Sequence, residues 1–350
     1  MSARASPARA SHSTLSWTRL GDEQLLDLRL CDLQLQLRGS LVQTRITRLY
    51  RELAARGIAF RPHAWLAQEW FSPDGVPGFA VPFYLAHPRL TRLERKMTGV
   101  VEGSNVNWQM RILRHEAGHA IDSAYRLRRR ARWRALFGYA SRRYAPQYRA
   151  RPASRHHVQH LGEWYAQAHP TEDFAETFAV WLQPHSGWRR RYAAWPARRK
   201  LEYVAQVAAE IGPHRPAVGC RDRIEALEDS TLTLREHYRR KRLSERRRNR
   251  GLADGLLKQV FDPQSVARTG ATPAAALLRS LKPSLRTTLE QRTGADRYSA
   301  QQLVRLAIER CEHLDLRQRG ARRAAIPKLR AALVRMARRY IASDELRLRL

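Results

Sequence analysis

Residues 111–122 constrain this chain more than any other stretch, because they set His115-Glu116-Ala117-Gly118-His119 inside a helical apolar frame. Two histidines four residues apart project from one face of an α-helix about one turn apart, a spacing at which both imidazoles can grip a single metal ion. Glu116 lies beside them. Ile112, Leu113, Ala117, Ala120, Ile121 and Ala124 make the helix a buried one, which keeps such ligands from drifting. The same five-residue pattern also arises by chance, so a third ligand has to be sought elsewhere.

A second stretch, residues 165–182, is the place to look. Pro170 and Thr171 suit a helix start, and Phe174, Ala175, Phe178 and Leu182 form its apolar stripe. Glu172 and Glu176 are four apart on one face. Two carboxylates so placed repel by a few tenths of a kcal/mol, roughly, on a helix in water. A zinc ion or its histidines would reverse that sign; a solvated acidic first turn, favoured by the helix dipole, is the other reading.

Ahead of the motif, residues 32–37 alternate leucine with polar residues and predict a half-buried strand. Val42, Ile46, Leu49, Tyr50 and Leu53 follow helical spacing toward a stop at Gly57. Residues 58–60 and 79–85 read as strands, separated by a turn-rich loop at 72–78. Pro82 lacks a donor, which places the second strand at an edge, where an extended peptide could pair.

The segment 123–162 contains no acid. It interleaves Arg126, Arg128, Arg129, Arg130, Arg132, Arg134, Arg142, Arg143, Arg149, Arg151 and Arg155 with Trp133, Phe137, Tyr139, Tyr144 and Tyr148. A helical insertion with a solvated arginine face and an aromatic core face is favoured over a nucleic-acid surface. His156, His157 and His160 are expected at the surface. Beyond residue 217 the periodicity predicts helices around 224–247, 272–281, 299–314 and 326–341.

The whole chain carries 65 Lys+Arg against 32 Asp+Glu, a formal charge of +33 over 350 residues, and such a field attracts polyanions or acidic substrates. Cys31, Cys220 and Cys311 are scattered, which excludes a zinc ribbon and argues against a disulfide framework. The expected compartment is the cytoplasm. No apolar run approaches the roughly 18 residues of a membrane span. Residues 1–16 read as a disordered basic tail.

Taken together, Trp70 to Gly78, Pro82 to Leu90, Ile112 to Ala120 and Glu172 to Phe178 resemble the bacterial family described as putative zinc-binding metallopeptidases, of the gluzincin type. The stretch from Tyr165 to Phe178 also resembles that of lethal-factor-like peptidases, where a tyrosine precedes the ligand glutamate by seven residues. The resemblance covers roughly residues 20–210. It implies an α+β, zincin-like catalytic domain at 17–216 with a small sheet and active-site helices, followed by an all-helical accessory region at 217–350. It implies zinc held by His115, His119 and Glu172, with Glu176 accepting from a ligand histidine. It implies hydrolysis of peptide bonds in a peptide or protein substrate by a metal-activated water, Glu116 serving as general base and Tyr165 as donor to the oxyanion. The alternative is a non-catalytic zinc protein that binds nucleic acid or protein through its basic segments. A basic rim would favour acidic or unfolded protein segments.

Overall fold

The computed structural model describes residues 16–98, 101–145, 147–151, 154–162, 164–248, 252–264, 271–295, 297–318, 320–342 and 346–349. Residues 1–15 of the expected tail lie outside them. Helices of seven residues or more and strands are numbered in chain order.

The fold is α+β, mostly helical with a small sheet. After a short helical turn at Asp22–Leu26, α1 (Leu41–Ala55) buries Val42, Ile46, Leu49 and Leu53 and starts on Ser40, whose hydroxyl accepts from the Gln43 N–H. Gly57 follows it at φ +79°, the left-handed conformation that terminates a helix. The strand expected at 32–37 does not form. The buried leucines there are Leu25, Leu26, Leu30 and Leu33, a helix-like spacing, and the chain turns through a 3-10 segment at Cys31–Leu33.

The sheet is one parallel pair, β1 (His63–Ala67) with β2 (Gly78–Pro82), so the first strand starts five residues later than residue 58, the expected start. The second ends at Pro82 and gives way to a 3-10 turn at Phe83–Leu85. All of β2 is buried, and the Ala80 N–H donates to the Phe71 carbonyl at 2.8 Å on the side away from β1. At Ala80 that bond occupies the edge of the strand away from β1.

Next come α2 (Pro88–Thr98), α3 (Val106–Tyr125) and α4 (Ala131–Phe137). Asn105 caps α3 by accepting from the Trp108 N–H, and α1 is fastened to it by the buried Glu52–Arg114 ion pair at 2.7 Å. A strand β3 (Gln147–Ala150) precedes α5 (Pro170–Leu182), and α6 (Arg198–Ile211) packs on α5. Every residue of α5 is buried, so it forms the centre of the first hydrophobic core. Among its described residues beyond α3, the segment expected as a helical insertion is helical in a 3-10 turn at Leu127–Arg129 and in α4, which buries Trp133 and Phe137 against Phe174 while Tyr139 and Tyr144 are exposed.

The remainder comprises α7 (Leu234–Arg248), α8 (Leu252–Lys258), β4 (Phe261–Pro263), α9 (Ala274–Thr293), α10 (Arg297–His313), β5 (Leu316–Gln318), α11 (Arg322–Ala342) and β6 (Leu346–Arg349). The region is helical as expected, with β4 and β5 as a short antiparallel pair and β6 paired to β3. The helix expected to stop near residue 281 runs on to Thr293 through Pro283, because Leu285 and Leu289 continue its buried stripe. The first core takes side chains from Trp17 to Tyr238, and a second takes those from Ala253 to Ala337 together with Tyr148 and Trp164. Among the described residues no helix is long and apolar enough to cross a membrane.

Candidate metal centre

Helices α3 and α5 cross at Gly118. A Cβ there would sit 2.8 Å from the Ala175 Cα, so only glycine lets the two backbones come this close. That approach brings His115 and His119 on α3 against Glu172 and Glu176 on α5.

The ligand atoms of His115, His119 and Glu172 all lie within 4.8 Å of one another. His115 Nε2 is 3.0 Å from Glu172 Oε2 and 3.1 Å from His119 Nε2, and His119 Nε2 is 3.2 Å from the same carboxylate oxygen. Tetrahedral zinc bound at ordinary distances separates its ligand atoms by roughly 3.3 Å, close to this triangle. The His115 Nδ1–H donates to Glu176 Oε1 at 2.9 Å, so that a cation displacing the proton of Nε2 would find that nitrogen's lone pair facing the other two atoms. Glu176 Oε2 is held in turn by the Leu161 N–H at 2.8 Å. Burial pulls the His115 pKa down, but Glu172 and Glu176 outweigh it and hold it well above the ordinary histidine range; with that proton displaced, two ring nitrogens and one carboxylate converging on a point would be a donor set that a divalent cation fits. Glu172 and Glu176 are buried, 5% and 1% exposed, which removes the reading of a solvated acidic face.

Burial pushes the Glu172 carboxyl up, but the His119 and His115 rings beside it outweigh burial and hold it well below the usual carboxylate range. Glu116 is pushed the other way, chiefly by burial. Among the described residues no hydrogen-bond partner takes its Oε2. The Ser72 hydroxyl donates to the Glu116 carbonyl at 3.1 Å, and Arg128 joins Asp122 at the end of α3 to Asp74 of the same turn, each at 2.6 Å. The 72–78 loop is thus moored along the motif helix.

Residues 110–188 match the model of a family described as "Putative zinc-binding metallo-peptidase". The matched stretch contains most of α3 and all of α5, and with them His115, Glu116, His119, Glu172 and Glu176. No curated protein and no solved structure matches the chain.

Tyr165 lies in a 3-10 turn at Tyr165–Gln167, its ring 5.7 Å from that of His115. Burial holds its hydroxyl protonated far above the ordinary tyrosine range. It packs against the second core, so the C-terminal helices back one side of the site. The histidines expected at the surface divide: His156 is exposed, whereas His160 is 4% exposed and its Nε2–H donates to the Arg111 carbonyl at 2.9 Å. Burial lowers its pKa to about 4, so it stays neutral.

One residue of the site escaped the sequence. Tyr144 donates to Glu172 Oε1 at 2.7 Å. It sits in a loop with no periodicity, twenty-eight positions from its partner, and the sequence marks it only as one of the aromatics of the arginine-rich segment.

Proposed function

We propose that the protein is a zinc-dependent metallopeptidase, a hydrolase of peptide bonds, with His115, His119 and Glu172 as its metal ligands. The buried Glu116 carboxylate beside that donor set carries the reading, because a protein that merely bound zinc would have no use for a base there. Zinc at such a site supplies Lewis acidity, lowering the pKa of water and polarising a carbonyl. Glu116 takes the proton of the attacking water at its free Oε2 and passes it to the departing amine. Glu176 holds the His115 ring through Nδ1 and keeps its proton off the metal face. Tyr165 donates to the oxyanion that develops on the scissile carbonyl, a reading supported by its ring lying beside His115.

We take residues 17–216 as the metallopeptidase domain, extended by the segment to Tyr238, since Leu227, Leu234 and Tyr238 join its core. The helices beyond it form the accessory region. The three cysteines are free, which suits the reducing cytoplasm. The substrate is a peptide or unfolded protein segment, with acidic residues favoured by the exposed Arg142 and Arg143 that flank Tyr144.

The test is metal analysis and peptide-library cleavage of the wild type beside Glu116→Gln. Both forms are expected to hold zinc, and the variant to lose on the order of 10²–10⁴ in rate. The wild-type profile should be enriched in Asp and Glu around the cleaved bond. Wild-type cleavage by Glu116→Gln, or absence of zinc, would sink the proposal. Salt-dependent binding of RNA or DNA without any hydrolysis would favour a non-catalytic binding protein.

A further inference from the structure

The loop between α4 and β3 folds back over the N-terminus of α5, and four short contacts hold it there. The Tyr144 ring stacks on the His169 ring, centroids 3.8 Å apart and planes 15° from parallel. His169 is the N-cap of α5, and its Nε2–H donates to the Arg142 carbonyl at 2.7 Å, an acceptor that forces the proton onto that nitrogen. Its Nδ1 is then an acceptor, 2.7 Å from the Thr171 hydroxyl and 3.3 Å from the Thr171 N–H. The Tyr144 oxygen lies 2.7 Å from Thr171 Oγ1 and 2.7 Å from Glu172 Oε1.

One proton in this cluster is assigned by elimination. The Glu172 carboxylate only accepts, so the Tyr144 proton goes to it, and the Thr171 proton serves His169 or the Tyr144 oxygen. The two oxygens of Glu172 therefore have separate partners. Oε2 faces the rings of His115 and His119, while Oε1 is held by a residue of the arginine-rich loop. A carboxylate with one oxygen tied in this way cannot rotate its other oxygen out of the triangle without breaking a charge-assisted hydrogen bond.

We propose that Tyr144 is a positioning residue for Glu172, and that zinc binding and the docking of loop 138–145 onto α5 are one coupled equilibrium. The proposal rests on the reading of His115, His119 and Glu172 as the metal site. Thermodynamic reciprocity makes it testable from both ends: whatever affinity the docked loop lends to zinc, zinc returns as stability of the docked loop.

Tyr144→Phe keeps the ring that stacks on His169 and deletes only the hydroxyl. Zinc affinity is measured by competition with a chromophoric chelator, and hydrogen exchange is followed in peptides covering residues 138–145, with and without zinc. The variant is expected to bind zinc on the order of tenfold more weakly, as loss of a partner that orients a ligand commonly does. Zinc should slow exchange in the loop of the wild type and not in that of Tyr144→Phe. A residue with a merely structural role would lower the melting temperature of the zinc-free protein and leave zinc affinity unchanged. His115→Ala separates the two ideas. If it loses zinc while Tyr144→Phe binds as the wild type does, or while zinc protects the loop of both proteins alike, the coupling is overturned and the metal site stands. If His115→Ala also binds zinc normally, both are overturned. Should Tyr144→Phe not fold, Tyr144→Trp, which retains a stacking ring without the phenol, replaces it in the same measurements.

Discussion

Two helix pairs in this protein are built on opposite principles. Between α9 and α10 the buried side chains are apolar, with Leu278, Leu285, Leu289, Leu303, Val304 and Ala307 among them. Throughout the second core the one charged side chain buried among the described residues is Asp254, and Arg310 takes both its oxygens at 2.6 and 2.7 Å. By contrast α3 buries Arg114, His115, Glu116 and Asp122, and α5 buries Thr171, Glu172, Asp173 and Glu176. Burying such groups costs free energy unless each finds a partner, and apolar packing of the same volume is commonly as stable or more so. The α3–α5 pair is therefore not arranged for stability alone. Three of its side chains, His115, His119 and Glu172, are held where one atom each can face a common point, while the second core, to which α9 and α10 belong, backs the Tyr165 turn.

The contrast breaks if the two pairs respond alike to substitution. Leu289→Ala removes a fully buried side chain from α9 and should destabilise the protein by about 2–5 kcal/mol, leaving zinc affinity of the folded state unchanged. Denaturant titration reads the first quantity and chelator competition the second. Loss of zinc affinity in Leu289→Ala would mean that the two cores form a single mechanical unit, and the comparison would fail.

The opposite signature is expected on α5. Glu176→Gln keeps the shape and an acceptor for the His115 Nδ1–H, yet removes the negative charge that would make the ring a better ligand at the proposed zinc site. Zinc affinity should fall by roughly 10- to 100-fold, as is usual when a partner behind a ligand histidine is weakened. If denaturant titration of the zinc-free protein showed a loss on the scale of Leu289→Ala with zinc affinity intact, Glu176 would be a stability element, and the contrast between the helix pairs would be wrong at this position.

How far each pair was legible from the sequence follows from the same difference. Periodicity reports which face of a helix is apolar, so α1, the body of α3 and the stripe of α5 could be read directly, and spacing alone put His115 with His119 and Glu172 with Glu176. It does not report which loops return to a helix end. Tyr144 reaches Glu172 through a fold of the chain that no local pattern records, and the role of Gly118 emerges only from the crossing at Ala175. Strand positions failed where pairing decided them: the alternation at 32–37 has no neighbour to pair with, while β1 gains its place from β2. Pro283 misled for a related reason. A proline removes one helical hydrogen bond, and the buried Leu285 and Leu289 beyond it outweigh that loss.

One buried histidine outside the metal centre sharpens the comparison from a third side. His237 on α7 is 3% exposed, packs edge-on against Phe83 and Tyr238, and donates from Nδ1 to Gln68 Oε1 at 3.1 Å. Among the described residues its Nε2 has no hydrogen-bond partner, and no carboxylate pairs with the ring as Glu172 and Glu176 do with His115. Burial, reinforced by Lys241 nearby, pushes its pKa down to about 3. The unfolded chain titrates this group near 6.5, so between that pH and 3 the unfolded state binds the extra proton and stability rises with pH. The contribution is complete above pH 6.5 and is lost on acidification, by at most about 1.4 kcal/mol per pH unit. Denaturant titrations of the zinc-free protein from pH 7 to pH 5 should therefore show a shallower loss in His237→Gln than in the wild type. Parallel curves would mean that His237 already accepts a proton in the fold, and that burial without a carboxylate partner is tolerated here for a charged as well as a neutral ring.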